Sequence, residues 1–161
     1  MHPYQRFLRK WINTNLRLVS ADNFADIGAL ALHEHQRDFL ADNLYSIAQA
    51  SFHPHYHCRA IYAGDSPVGF LMYVALKEEG QDGEYAIWRF MVDREYQGKG
   101  HGRRAMELAI AEIRQHGDVR KIWICYWPEN PVAKDFYAGF GFVETGLDEE
   151  GEMQAVLQVR D

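Results

Sequence analysis

The residues with the plainest chemical potential lie between Glu84 and Gly117. Gln97-Gly98-Lys99-Gly100-His101-Gly102-Arg103 sets three glycines at alternate positions, which lets the backbone turn sharply, approach a ligand closely and aim its amides one way. From residue 93 to 104, four cations (Arg94, Lys99, Arg103, Arg104) stand against two anions (Asp93, Glu95), inside a chain of net charge -6. A helix start at this point would add unpaired N–H groups and about half a positive charge, completing an anion site suited to phosphate. Two common phosphate motifs fit poorly. Lys99 is followed by Gly100 where a P-loop needs Ser or Thr, and Arg103 occupies the third-glycine position of a dinucleotide fingerprint.

The elements that must position this turn are legible on either side of it. Tyr85, Ala86, Ile87, Trp88, Phe90, Met91 and Val92, interrupted only by Arg89, read as a strand buried on both faces. Met106, Ala109, Ile110 and Ile113 recur at helical spacing until Gly117. Lys121 to Trp127 reads as a further buried strand, and strand, helix, strand implies a parallel pair. Asn130-Pro131 reads as an N-cap and first helical position, opening a short helix through Val132, Ala133, Phe136, Tyr137 and Phe140.

The pattern Gln97-x-x-Gly100-x-Gly102, following Arg89-Phe90-Met91-Val92, resembles the acetyl-CoA pyrophosphate loop of the GNAT superfamily of N-acetyltransferases. Trp88 to Asp93 and Tyr96 to Gly100 look most like bacterial spermidine and spermine acetyltransferases. The resemblance implies a single α/β GNAT domain spanning the chain: a mixed, mostly antiparallel sheet with a central parallel strand pair, flanked by helices. It implies acetyl-CoA as donor, bound by Gln97, Gly98, Lys99, Gly100, His101, Gly102 and Arg103, with the backbone of Met91 and Val92 holding the pantetheine arm. Asn130, Ala133 and Tyr137 match the family's spacing of Asn, Ala and Tyr. This implies Asn130, and beside it Lys134, as donor contacts and Tyr137 as the acid that protonates the departing thiolate. Residues 130, 133, 134 and 137 share a helical face, and a phenol near pKa ~10 held beside a thiolate of parent pKa ~8.5 suits that task. The alternative for Tyr137 is a core aromatic beside Phe136 and Phe140.

An ammonium acceptor must lose a proton before attack, so a base is wanted. Glu84 is the first candidate and Glu34 the second. In the polyamine enzymes an acid precedes the equivalent of Arg89, where this chain has Trp88. A polyamine is the leading acceptor. A protein or peptide amine, an aminoglycoside and a non-catalytic acyl-CoA sensor are the alternatives.

The rest of the chain is read more coarsely. Tyr4, Phe7, Leu8, Trp11 and Ile12 suggest a short amphipathic helix in residues 1–14, for packing or a possible homodimer. A strand over 15–20, a helix through Ile27, Leu30 and Ala31, a helix from about Asp38 to Ala50, a hairpin around Gly64-Asp65-Ser66-Pro67, and two closing strands over 142–147 and 153–159 complete the prediction. Asp22, Asp26, Glu34, Asp38 and Asp42 against Arg37, with Glu78, Glu79, Asp82 and Glu84, would attract a cationic acceptor.

With 161 residues, 47% of them hydrophobic, one domain is expected. No run approaches the ~18 apolar residues of a membrane span and no signal-peptide core is present, which implies a cytoplasmic protein without membrane association. The acidic balance argues against nucleic acid. His53, His55 and His57 alternate, but Pro54 breaks the strand and no Cys or acid stands at ligand spacing, so no metal is expected. Cys58 and Cys125, each in or beside an apolar segment, read as buried free thiols.

Overall fold

In a computed structural model describing residues 13–160, seven strands form one sheet in the order β1-β2-β3-β4-β5-β7-β6. They are β1 (Thr14–Leu18), β2 (Tyr56–Ala63), β3 (Ser66–Ala75), β4 (Glu84–Val92), β5 (Lys121–Tyr126), β6 (Val143–Leu147) and β7 (Met153–Gln158). Only β4 and β5 pair in parallel; every other neighbour is antiparallel. The helices are α1 (Phe24–Gly28), α2 (Asn43–Ala50), α3 (His101–Arg114) and α4 (Ala133–Ala138). The amphipathic stripe read in residues 1–12 lies outside the described residues.

β3 is buried on both faces from Val68 to Val74, which is why its sequence is continuously apolar rather than alternating. On one face Leu71, Tyr73, Tyr85 and Ile87 pack with Ala105, Met106, Ala109 and Ile113 of α3 and with Ala133 of α4. On the other, Ala60, Tyr62, Phe70, Met72 and Met91 meet Ile27 of α1 and Ile47 of α2. Gly69 lies hard against β4: a Cβ there would overlap the Met91 carbonyl oxygen.

Three helix starts or ends differ from the prediction, each because a polar group claims the backbone. α1 stops before Leu30 since the Asp93 carboxylate accepts the Ala31 N–H at 2.8 Å and the Ala31 carbonyl accepts the Arg94 N–H at 2.8 Å. The predicted helix from Asp38 divides into a 3₁₀ turn (Glu34–Phe39) and α2, because Leu40 is extended and Asp42 caps the second helix, accepting the Tyr45 N–H at 2.7 Å. α4 opens at Ala133 rather than Pro131. Asn130 Oδ1 accepts the Val132 N–H at 3.3 Å, and the helical bonds begin with Phe136 N–H to the Val132 carbonyl.

The β4–β5 ladder positions the site. Glu84 to Ile87 pair with Lys121 to Ile124, after which β4 runs on to Val92 and β5 to Tyr126 without pairing to each other. Against β3, Ile87 faces Tyr73 and Arg89 faces Met72, so Trp88 is an extra residue. Such a bulge bends its strand and re-aims side chains. Here it breaks the alternation, so that Trp88 packs on the α1–α2 face and Arg89, opposite Met72, shares it.

Candidate active site

The divergence of β4 and β5 opens a cleft of about 400 Å³. One wall is Ile87, Trp88, Phe90, Met91 and Val92 of β4, and the other is Cys125, Tyr126 and Trp127 at the end of β5 with Ala133, Phe136 and Tyr137 of α4. Gln97, Gly98, Gly100, Gly102 and Arg103 close one end, and Leu32, Gln36, Phe39 and Leu40 close it from above.

The glycine turn is shaped as its composition requires. Gly98 and Gly100 adopt φ 73° and 86°, a left-handed conformation that costs other residues roughly 1–2 kcal/mol. Gly100 is the N-cap of α3, and the first helical bond runs from the Arg104 N–H to the Gly100 carbonyl. The amides of His101, Gly102 and Arg103 therefore precede the helical ladder at the positive end of a 14-residue helix. Gln97 anchors the turn rather than facing outward: its Nε2 donates to the Val92 carbonyl at 2.9 Å and to Gln36 Oε1 at 2.9 Å, while Gln36 Nε2 donates to Gln97 Oε1 at 3.2 Å.

Of the predicted donor-contact residues, the fold gathers Met91, Val92, Gln97, Gly98, Gly100, Gly102, Arg103 and Asn130 around the cleft, with Tyr137 beside them. The side chains of Lys99, His101 and Lys134 stand outside it. Lys99 Nζ donates to the Glu95 carbonyl at 3.1 Å, and Lys134 lies 3.9 Å from Glu144. His101 is buried with Nδ1 3.0 Å from Thr14 Oγ1. Burial and nearby Lys99 lower its pKa, which favours the neutral imidazole over a cation.

Neither predicted base lines the cleft. Glu84 opens β4 at the paired end, where its carboxylate accepts the Trp123 indole N–H at 2.6 Å, roughly 20 Å of strand from Phe90 at ~3.3 Å per residue. Glu34 borders a separate polar hollow with Arg37, Asp42 and Arg94. The misplacement is physical: a strand's sequence does not reveal which of its ends will part from its neighbour.

Two phenols on the β5–α4 wall of the cleft differ in one respect. The Tyr126 hydroxyl donates to Glu144, whose hydrogen bond and charge add to burial in raising its pKa. Tyr137 is stacked on Tyr126 at 5.6 Å, and burial alone raises its pKa. Its proton is retained at neutral pH and is not engaged by an acceptor among the described residues. Cys125, read as buried, is exposed on the cleft wall because it lies beyond the last β4–β5 pair. Although the residue is open to solvent, partial desolvation of the thiol by the wall around it, followed by Glu152, Asp148 and Glu150 and offset by a Gln154 hydrogen bond, pushes it up to about 11, so it is not a thiolate nucleophile at neutral pH. Among the described residues no group of three or more His, Cys, Asp or Glu side chains is placed to hold a metal ion.

A parallel pair that parts beside a glycine-rich helix start, with an apolar cleft and a protonated phenol between, is the arrangement of an acyl-CoA site. The acetyltransferase (GNAT) family model matches residues 17–142, and the chain belongs to that family: it is an acetyl-CoA-dependent N-acetyltransferase. It is 28% identical, over 92% of its length and all of the relative's, to the probable spermine N(1)-acetyltransferase of Bacillus subtilis subsp. natto and equally to the spermine/spermidine N(1)-acetyltransferase of Bacillus subtilis strain 168. Among solved structures it superposes on spermidine N-acetyltransferase from Vibrio cholerae in complex with CoA and spermine (TM-score 0.75, 18% identity, 91% of this chain and 96% of that one). It also superposes on the aminoglycoside acetyltransferase AAC(6')-Ib in complex with coenzyme A (TM-score 0.77, 18% identity, 91% and 95%). Likeness at 18% identity speaks for the fold and not the acceptor.

Sequence reasoning missed Gln36, Phe39, Tyr126 and the bulge at Trp88. Gln36 is 61 residues from its partner Gln97, and no local pattern marks either the pairing or the bulge.

Proposed function

We propose that this enzyme transfers the acetyl group of acetyl-CoA directly to a primary amine, with a polyamine as acceptor. The carrying observation is that the cleft has a disengaged, protonated phenol, Tyr137, on the α3–α4 side, while its opposite side is open at Cys125. Donor and acceptor therefore approach from different faces of the sheet, and no covalent enzyme intermediate is needed. The amides at the start of α3, with Arg103, hold the pyrophosphate. The apolar walls from Phe90 to Val92 and Phe136 take the pantetheine arm, and backbone N–H groups of Met91 and Val92 steady it and polarise the thioester carbonyl. Asn130 borders the same arm. Tyr137 delivers its proton to the departing sulfur.

The choice of polyamine is supported by the names of the two Bacillus relatives and by the acids Glu78 and Glu79 near the α1–α2 face, which act on Tyr56 beside Trp88. The test is release of CoA from acetyl-CoA with spermidine, spermine, putrescine, lysine peptides and aminoglycosides at matched concentration. Turnover confined to polyamines is expected. Turnover only with peptides or aminoglycosides would overturn the acceptor, and CoA binding without any turnover would favour an acyl-CoA sensor.

A further inference from the structure

The geometry points to Glu152, in the turn between β6 and β7, as the base that takes the proton from the acceptor's ammonium; this rests on the amine-acetyltransfer reading above. Three observations lead there.

The first is facing. Ile124 and Tyr126 of β5 and Ala155 and Leu157 of β7 are buried in the core shared with α3 and α4. Cys125 and its partner Gln154 therefore face the other way, and Glu152, two residues before Gln154, continues their row. Tyr137 belongs to the α3–α4 side. Acid and base then flank the reacting carbonyl from opposite sides, as displacement of a thiolate by an amine requires.

The second is reach. Cys125 stands on the cleft wall with Gln154 as its ladder partner, so Glu152, two residues before Gln154, lies beside that wall, where its charge acts on the Cys125 thiol and the Arg89 guanidinium acts on it. The carboxylate thus borders the open, Cys125 side of the cleft without lining it.

The third is availability. Glu84 is bonded to Trp123, and Glu144 accepts the Tyr126 hydroxyl and neighbours Lys134. Glu152 binds its turn through its backbone N–H, donated to Asp148 Oδ1 at 2.9 Å, and its carboxylate has no hydrogen-bond donor among the described residues. The charged groups around it are Asp148 and Glu150 of the same turn and Arg89 of β4, with the Cys125 thiol alongside. Burial, then Asp148 and Glu150, raise its pKa, against a lowering by Arg89. A raised pKa makes a carboxylate a stronger base.

The step balances as follows. The ammonium gives one proton to the Glu152 carboxylate. The freed amine bonds the carbonyl carbon, the C–S bond breaks, and the sulfur takes the Tyr137 proton. The nitrogen loses a second proton as the amide forms; of that proton and the one held by Glu152, one returns through solvent to the Tyr137 phenolate and the other is released, a net release of one proton per turnover.

The experiment measures kcat and KM for acetylation of spermidine across neutral to alkaline pH in wild type, Glu152→Gln, Glu152→Asp and the turn control Glu149→Gln, with CoA affinity and thermal unfolding recorded for each. Glu152→Gln is expected to lose ~10²-fold in kcat at neutral pH. That deficit should shrink as pH approaches the amine's own pKa near ~10 and free amine becomes plentiful. Glu152→Asp should recover much of the rate and Glu149→Gln should match wild type. Wild-type kcat in Glu152→Gln, a deficit constant with pH, or a loss confined to KM would each overturn the base assignment while leaving acetyl transfer standing. Absence of wild-type turnover on every amine would overturn both.

Discussion

The two ends of the β4–β5 pair make opposite use of the same kinds of residue. At the closed end Glu84 to Ile87 are laddered to Lys121 to Ile124. The Gly83 carbonyl accepts the Arg120 N–H at 2.6 Å, and the Asp82 carbonyl accepts Arg120 Nη2 at 2.9 Å. Tyr85 donates its hydroxyl to Asp118 at 2.8 Å. At the open end the strands share no ladder, the walls are apolar, and Tyr137 retains a proton with no acceptor beside it. The two tyrosines condense the contrast. Both pKa values are raised, Tyr85 by burial joined with the Asp118 hydrogen bond and charge, Tyr137 by burial alone. Where polar groups satisfy one another the molecule gains rigidity, and where they are left facing a cleft it gains chemistry.

The contrast is broken most sharply by Tyr137→Phe. Steady-state assays should show kcat down by ~10² or more with CoA affinity nearly unchanged; an undiminished rate would remove the phenol from the mechanism. Next in size, Gly100→Ala forces a side chain into a left-handed conformation at the mouth of the anion cradle. Stability should fall by about 1–2 kcal/mol in urea unfolding, and CoA binding by calorimetry should weaken about tenfold, as ~1.4 kcal/mol corresponds to that factor.

Tyr85→Phe, at the closed end, should cost about 0.5–1.5 kcal/mol of stability, the net worth of one hydrogen bond, and leave kcat untouched. A comparable loss of rate would mean that the two ends are coupled. The smallest effect concerns acid. His57 stacks on Tyr73 at 4.7 Å and lies 5.5 Å from His116; burial, then Arg59 and His116, lower its pKa. The unfolded chain therefore binds this proton more readily, so stability is full above the unfolded pKa near ~6.5 and is lost as pH falls toward the folded value. Thermal midpoints should decline on acidification below that point, and His57→Gln should flatten the decline.

How much of this was legible follows from sequence distance. β4, the glycine turn, α3 and β5 succeed one another, so their periodicity, punctuation and pairing direction were readable in order. α1 and α2 were misjudged in length because Asp93, far along the chain, captures the backbone at Ala31, and because Asp42 competes with a continuous helix. Glu84 and Cys125 were misjudged for one shared reason. Each was assigned an environment from its strand alone, whereas that environment depends on where two strands stop pairing. Lys99, His101 and Lys134 belong to stretches that border the cleft, but the fold turns their side chains onto a carbonyl, a threonine and a glutamate.

The reciprocal amide pair of Gln36 and Gln97 carries a consequence of its own. It fastens the 3₁₀ turn over the cleft to the glycine loop through uncharged groups only. A carboxylate–guanidinium pair in the same place would loosen with added salt and would compete for the anion that the proposed donor site requires. Two carboxamides do neither, so the clasp is insulated from the ionic traffic beneath it: donor affinity can vary with salt and pH while the architecture that holds the loop stays indifferent to both.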